Sequence, residues 1–291
     1  MPRSTAAGSV PGSSHRWGIY EKALPKSLSW EKRLAAAAAA GYDFVEISID
    51  EGDERLSRLE WPRAARRELH DALSGAAASI DTMCLSAHRK YALGSASPDL
   101  RRRALQIMRR AIDFAAEFGI RIVQVAGYDA HYEPRTEQTE ALFFQSIVQS
   151  AEWARRSCVM LAVETVECPL VDSVEKALRL VKAADTPWFQ VYPDIGNLTA
   201  MQKDVTRELE LGRQHMLGLH LKDATVGVFR KIPFGQGIVD FDAAFRTLHR
   251  IGFKGPFMVE MWNEEAPDAE GQAAAARQWL LRKLEAASAA V

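Results

Sequence analysis

The chain has 291 residues, 47% of them hydrophobic and 26% charged, with a formal net charge of −1. That length can bury one large core or two small ones. The near-neutral balance supplies no field for nucleic acid or an anionic membrane surface. Three cysteines, Cys84, Cys158 and Cys168, lack CxxC spacing and suit reduced thiols in the cytoplasm. No apolar run approaches the roughly 18 residues a membrane span needs.

The first stretch, MPRSTAAGSVPGSSH, is rich in Ser, Gly, Pro and Ala and has no apolar h-region. It does not read as a secretory signal, and Met1 to His15 is expected to be a disordered tail. Short apolar runs then alternate with helical patterns. The runs are WGIY (17–20), FVEIS (44–48), IDTMCLS (80–86), RIVQVAG (121–127), MLAVETV (160–166), FQVYPD (189–194), MLGLHLKD (216–223) and PFMVEMW (256–262). Ser29 can cap a helix that stops at Gly41; Pro62 opens a second and Pro98 a third that runs to Gly119. Further helices are expected over 136–157, 173–184, near 204–214, and over 240–251 and 270–287.

Eight runs alternate with eight helices. Apolar runs of this kind suit parallel strands buried on both faces. No Gly-rich dinucleotide fingerprint is present, so the pattern favours a closed α/β (β/α)8 TIM barrel over a doubly wound sheet. No composition break divides 16–291, so a single domain is expected.

In such barrels the chemistry sits where the strands end. The fifth run carries Glu164, the sixth Asp194, the seventh His220 and the eighth Glu260, at separations of 30, 26 and 40 residues. Each gap is about one βα unit. Taken singly, Asp before Gly is turn chemistry and a histidine in an apolar strand is core. Taken together, three carboxylates and an imidazole from successive strands suit one divalent cation such as Zn²⁺ or Mn²⁺. Without it, the grouped carboxylates would repel one another at high cost. Glu21 and Lys22 follow the first run, and His88, Arg89 and Lys90 follow the third. Lys222, Asp223, Arg230 and Lys231 lie in a long loop after the seventh. Their cations could hold an anion such as phosphate or remain solvated. Lys222 could orient a substrate oxygen or form a buried ion pair. Trp188, Phe234 and Trp262 fit either the core or a pocket wall.

IYEKALP, DFVEISIDEGDERLSRLEW, MCLSAHRKYALGS, QVAGYDAHYE, MLAVETVE, WFQVYPDIGNL, HLKDA, IPFGQGIVDF and VEMWNE resemble the L-ribulose-5-phosphate / L-xylulose-5-phosphate 3-epimerases. These belong to the xylose-isomerase-like sugar phosphate isomerase/epimerase barrels. The resemblance spans residues 17–284. It implies one divalent metal on Glu164, Asp194, His220 and Glu260, with Glu164 and Glu260 as acid and base. It implies phosphate held near Tyr20, Glu21, Lys22, His88 and Arg89, and a homodimer. The implied reaction is epimerisation at C3 of a ketopentose 5-phosphate through an enediolate. The chain departs from the family pattern at Glu167, Ala224 and Gln236, where Asp, Thr and Glu are usual, which bears on the sugar more than on the reaction.

Three rival readings remain. A free-ketose or hexulose-phosphate epimerase, or an aldose–ketose isomerase, would keep the metal set. An apurinic endonuclease would want more metals and more histidines, as well as a basic face. A sugar-binding barrel would need no acid–base pair.

Overall fold

A computed structural model describes residues 15–289. The tail expectation for residues 1–14 lies outside the described residues. His15 is described: its ring stacks on Phe257, and Nδ1 lies 2.8 Å from the Gly255 carbonyl oxygen.

Eight parallel strands form one sheet. They are β1 (Trp17–Tyr20), β2 (Phe44–Ile49), β3 (Ser79–Leu85), β4 (Ile122–Ala126), β5 (Met160–Glu164), β6 (Phe189–Tyr192), β7 (Leu219–Leu221) and, last in the chain, β10 (Phe257–Val259). The spatial order is β6-β5-β4-β3-β2-β1-β10-β7. The two ends meet through parallel bridges Val191↔Met216 and Asp194↔His220, so the sheet closes into the expected TIM barrel. That last seam sets two predicted ligands side by side.

Residue parity assigns each strand residue to a face. On β2, Val45, Ile47 and Ile49 join the large core beneath the helices, while Phe44 belongs to a second cluster inside the barrel. Glu46 and Ser48 share the parity of Phe44 and so point inward. On β5, Leu161 and Val163 face the helices while Ala162 lies inside, which puts Glu164 inside as well. Gly18 makes room for this interior, since a Cβ there would lie 2.2 Å from the Phe44 ring.

The helical layer is α1 (Trp30–Ala39), α2 (Asp53–Leu56), α3 (Arg63–Ser74), α4 (Pro98–Phe118), α5 (Glu137–Arg156), α6 (Val174–Ala184), α7 (Ile195–Ala200), α8 (Val205–Gly212), α9 (Phe241–Arg250) and α10 (Ala269–Ala289). The starts follow the expected chemistry. Ser29, Ser97 and Ser173 each accept a backbone N–H at a helix N-terminus. Gly119 ends α4 in the left-handed region at φ +70°.

Four elements depart from the sequence reading, the first being the short helix α2 after β2. Helix α7 starts directly at the tip of β6. The long loop after β7 contains an antiparallel hairpin, β8 (Asp223–Thr225) with β9 (Val228–Ile232). Asp223 anchors the segment that follows: its carboxylate accepts the backbone N–H groups of Gly235 (2.8 Å) and Gly237 (3.0 Å). No helix among the described residues is long and apolar enough to cross a membrane.

Candidate active site

Glu164, Asp194, His220 and Glu260 converge at the C-terminal end of the barrel. One donor atom from each lies within 4.8 Å of all the others, and all four residues are buried. His220 Nδ1 stands 2.8 Å from Glu164 Oε1, 3.6 Å from Glu260 Oε2 and 3.9 Å from Asp194 Oδ2. Asp194 serves two purposes. Its Oδ1 caps α7 by accepting the Asn197 N–H at 2.9 Å, and its Oδ2 faces the cluster. The turn chemistry and the site chemistry are therefore two oxygens of one side chain.

The surrounding residues set the electrostatics. Lys222 Nζ lies 2.7 Å from Asp194 Oδ2 and 3.0 Å from Glu260 Oε2, so it forms a buried ion pair with two members of the cluster. Asp223, the next residue, bonds to loop amides instead. Gln124 donates its amide to Glu164, and Glu46 Oε1 lies 3.1 Å from His220 Nε2. Burial works to raise Glu260, but Lys222 and His220 outweigh it and hold the carboxyl at about 2. Burial pushes Asp194 up to about 7 in spite of the Lys222 cation. Burial opposes the charge on His220, but Glu46, Glu260 and Glu164 raise it well above the usual histidine range.

These groups fit a divalent cation. Four carboxylates, Glu46, Glu164, Asp194 and Glu260, surround one ammonium and one imidazole, so negative charge is left over in a buried place. At metal–ligand bonds of about 2.0–2.2 Å, opposed donor atoms lie roughly 4 Å apart. The spread of the four donors matches a single ion.

Above the cluster opens a cavity of about 450 Å³. Its lining includes Tyr20, Lys22, Arg89, Glu164, Glu167, Lys222, Arg230, Glu260 and Trp262. Glu164 and Glu260 reach the cavity wall; Asp194 and His220, both fully buried, do not. Tyr20 donates or accepts at Ser48 Oγ, 2.9 Å away. Lys22 is paired with Asp50. Arg89 lies over the Tyr128 ring and donates to its hydroxyl at 3.1 Å, and Arg230 lies over Trp262. Neither arginine makes an ion pair with a carboxylate among the described residues. Glu167 senses both. Burial raises its carboxyl, but the Tyr128 hydroxyl, its own backbone and the two arginines bring it below the usual range.

Two residues expected from sequence to contact substrate are placed elsewhere. Glu21 is fully buried, with Oε1 2.9 Å from Arg55 Nε and Oε2 2.6 Å from Arg58 Nη1 and 2.7 Å from the Ser48 amide. It ties the turn after β1 to β2 and to the segment after it. His88 is fully buried, with Nδ1 3.0 Å from the Tyr91 carbonyl, and is absent from the cavity lining. Conversely, Glu46, Gln124 and Asn197 belong to the site without having been singled out as site residues. The available signal was a lone polar residue in an apolar strand, FVEISI or IVQVA.

A closed parallel barrel with four metal-type donors at its strand tips defines a class, and the comparisons agree. The chain belongs to the xylose isomerase-like TIM barrel family, whose profile matches residues 34–283. It is 46% identical over 267 residues to the L-ribulose-5-phosphate 3-epimerase UlaE of Escherichia coli O157:H7 (strain EC4115 / EHEC), covering 92% of this chain and 94% of that protein. The protein of the same name from Salmonella heidelberg (strain SL476) is 46% identical over 270 residues, covering 93% and 95%. Among solved structures, D-psicose 3-epimerase with D-tagatose from Clostridium cellulolyticum H10 superposes with a TM-score of 0.76 at 16% identity, covering 92% of this chain and 99% of that one. A xylose isomerase-like TIM barrel protein from Mycobacterium smegmatis in complex with magnesium gives 0.70 at 16%, covering 94% and 97%. At such identities the likeness is one of fold.

Proposed function

We propose that this protein is a metal-dependent 3-epimerase of a ketopentose 5-phosphate, interconverting L-xylulose 5-phosphate and L-ribulose 5-phosphate. The observation that carries the reading is the division within the donor set. Two glutamates face the cavity, while Asp194 and His220 lie behind them. This supports Glu164 and Glu260 as ligands that also exchange protons, with Asp194 and His220 as ligands alone. The 46% identity to proteins named L-ribulose-5-phosphate 3-epimerase supports the substrate.

The donor set suits Zn²⁺ or Mn²⁺. Such an ion would be held by these four residues and would supply Lewis-acid stabilisation of the negative charge that develops as the C3 proton leaves. One glutamate then takes the C3 proton from one face of the ketose. The other glutamate returns a proton to the opposite face of the enediolate. Reversing the direction of reaction swaps the roles. Glu260 is held in the carboxylate form by Lys222 and His220, which suits it to ligate a cation. Lys222, charged and 3.0 Å from Glu260 Oε2, can orient that carboxylate or a substrate oxygen. Trp262 closes one wall.

The phosphate needs cations with donors to spare. Lys22 is paired with Asp50, and Lys26 with Glu54 at 3.1 Å. Arg89 and Arg230 make no direct ion pair among the described residues, Glu167 acting on both only at longer range, so they are the better candidates for the anionic end. The same pairing favours one second reading, a free ketose as substrate. The cytoplasm is the expected compartment, supported by three free cysteines, and a homodimer is the expected assembly on resemblance.

The test is incubation of metal-loaded protein with L-xylulose 5-phosphate, followed by NMR. L-Ribulose 5-phosphate should accumulate. An aldose product would overturn the epimerase reading, and turnover of free L-xylulose alone would overturn the phosphate.

A further inference from the structure

Glu46 has no evident structural reason to be where it is. It lies on β2 inside the barrel and is 0% exposed. Its side chain makes one hydrogen bond, Oε1 with His220 Nε2 at 3.1 Å, while Oε2 is buried without a partner. No lysine or arginine pairs with it among the described residues. Its register neighbour on β3, Thr82, has a hydroxyl that is itself unpartnered, and the nearby Tyr20 hydroxyl goes to Ser48. A bare carboxylate is a costly way to fill a barrel interior, where an apolar side chain of similar size would pack as well.

The imidazole it meets is held from several sides. Tyr192 stands edge-on to the His220 ring, with centroids 4.8 Å apart and planes at 73°. Gly218 leaves room for Tyr192, since a Cβ there would lie 2.5 Å from the tyrosine ring. With Nε2 directed at Glu46, Nδ1 is directed at Glu164, Glu260 and Asp194. A histidine ligand must be neutral, with its proton on the nitrogen that does not bind the metal. A carboxylate accepting that N–H fixes both the tautomer and the ring orientation, and makes the ligating nitrogen more basic.

We propose that Glu46 is a positioning residue, which holds His220 with Nε2 protonated and Nδ1 free to ligate the metal. The inference rests on the metal reading above and adds to it a residue that touches neither substrate nor ion.

The experiment measures divalent-metal affinity by competition with a chromophoric chelator, using Zn²⁺ and Mn²⁺, on the wild type, Glu46→Gln and Glu46→Leu. Thermal unfolding of the metal-free proteins and ¹⁵N-histidine NMR of the Zn²⁺ forms accompany it. Both variants should lose about 10- to 100-fold in affinity. The metal-free variants should remain folded and unfold cooperatively, so that the loss of affinity is read on native protein. The wild-type spectrum should show His220 protonated at Nε2, and that signature should be lost or exchange-broadened in the variants. Wild-type affinity and an unchanged His220 tautomer in both variants would overturn the assignment alone. So would lower melting temperatures of the metal-free variants with affinity retained, which would mark a structural role. A wild type that binds neither metal would overturn the metal reading and this assignment with it.

Discussion

His88 stands at a motif position but not on the cavity wall. It follows β3 as the family resemblance requires, but its ring is fully buried, and burial holds it at about 4 against an ordinary 6.5. Between those values the unfolded chain binds the extra proton, so stability rises with pH. The contribution is complete above 6.5 and is lost as pH falls toward 4. A gap of that size corresponds to roughly 3 kcal/mol. His88→Gln should therefore flatten the acid limb of stability between these pH values, as read by urea unfolding, with little change in KM. A KM increase of tenfold or more would return His88 to the substrate site. Arg89, next in sequence, should behave in the opposite way. It lines the cavity without a direct ion pair among the described residues, and charge-assisted contacts to an anion are strong. Arg89→Ala should raise KM for L-xylulose 5-phosphate by about tenfold or more, roughly 1.4 kcal/mol, and change turnover of free L-xylulose far less. Equal effects on both sugars would remove Arg89 from the phosphate site.

At the scale of elements, the β8–β9 hairpin and the loop behind it deliver Arg230 to the cavity. Asp223 anchors that loop, and Gly237 allows the close approach: a Cβ on Gly237 would lie 2.1 Å from Asp223 Oδ1 and 2.4 Å from the Ala224 carbonyl oxygen. Gly237→Ala should cost about 1–3 kcal/mol in chemical denaturation and raise KM through a displaced Arg230. Unchanged stability and KM would mean that the loop adjusts freely. The hairpin resembles a loop in sequence because its strands are short and β9 is largely exposed; its local signal is TVGV, with Gly227 turning at φ +68° between paired Thr225 and Val228. The barrel strands were legible because each is an apolar run long enough to stand out. The four ligands were legible because each interrupts such a run near its tip. Glu46 and Gln124 interrupt runs in the same way, but they stand three and two residues before the ends of β2 and β4, and nothing local to them reveals the contacts to His220 and Glu164. The Glu21 clamp was hidden for another reason. Its arginines, Arg55 and Arg58, are 34 and 37 residues away, and no local pattern reveals an ion pair over that distance.

For the whole molecule, the barrel gathers negative charge at one end of its interior, which a divalent cation bound there would offset. Because a ligand that binds only the folded state stabilises it, a divalent ion at one hundred times its Kd should add about 2.7 kcal/mol. Chelation should lower the melting temperature and abolish epimerisation together, and adding Zn²⁺ or Mn²⁺ should restore both. A protein equally stable and active after exhaustive chelation would contradict the site. The most direct test of the account as a whole is proton NMR of L-xylulose 5-phosphate in D₂O with metal-loaded wild type, Glu164→Gln and Glu260→Gln. The wild type should place deuterium at C3 as L-ribulose 5-phosphate forms, and each variant should slow epimerisation by at least about 10²-fold. Deuterium at C1 with an aldose product, or epimerisation that persists at the wild-type rate in either variant, would contradict it.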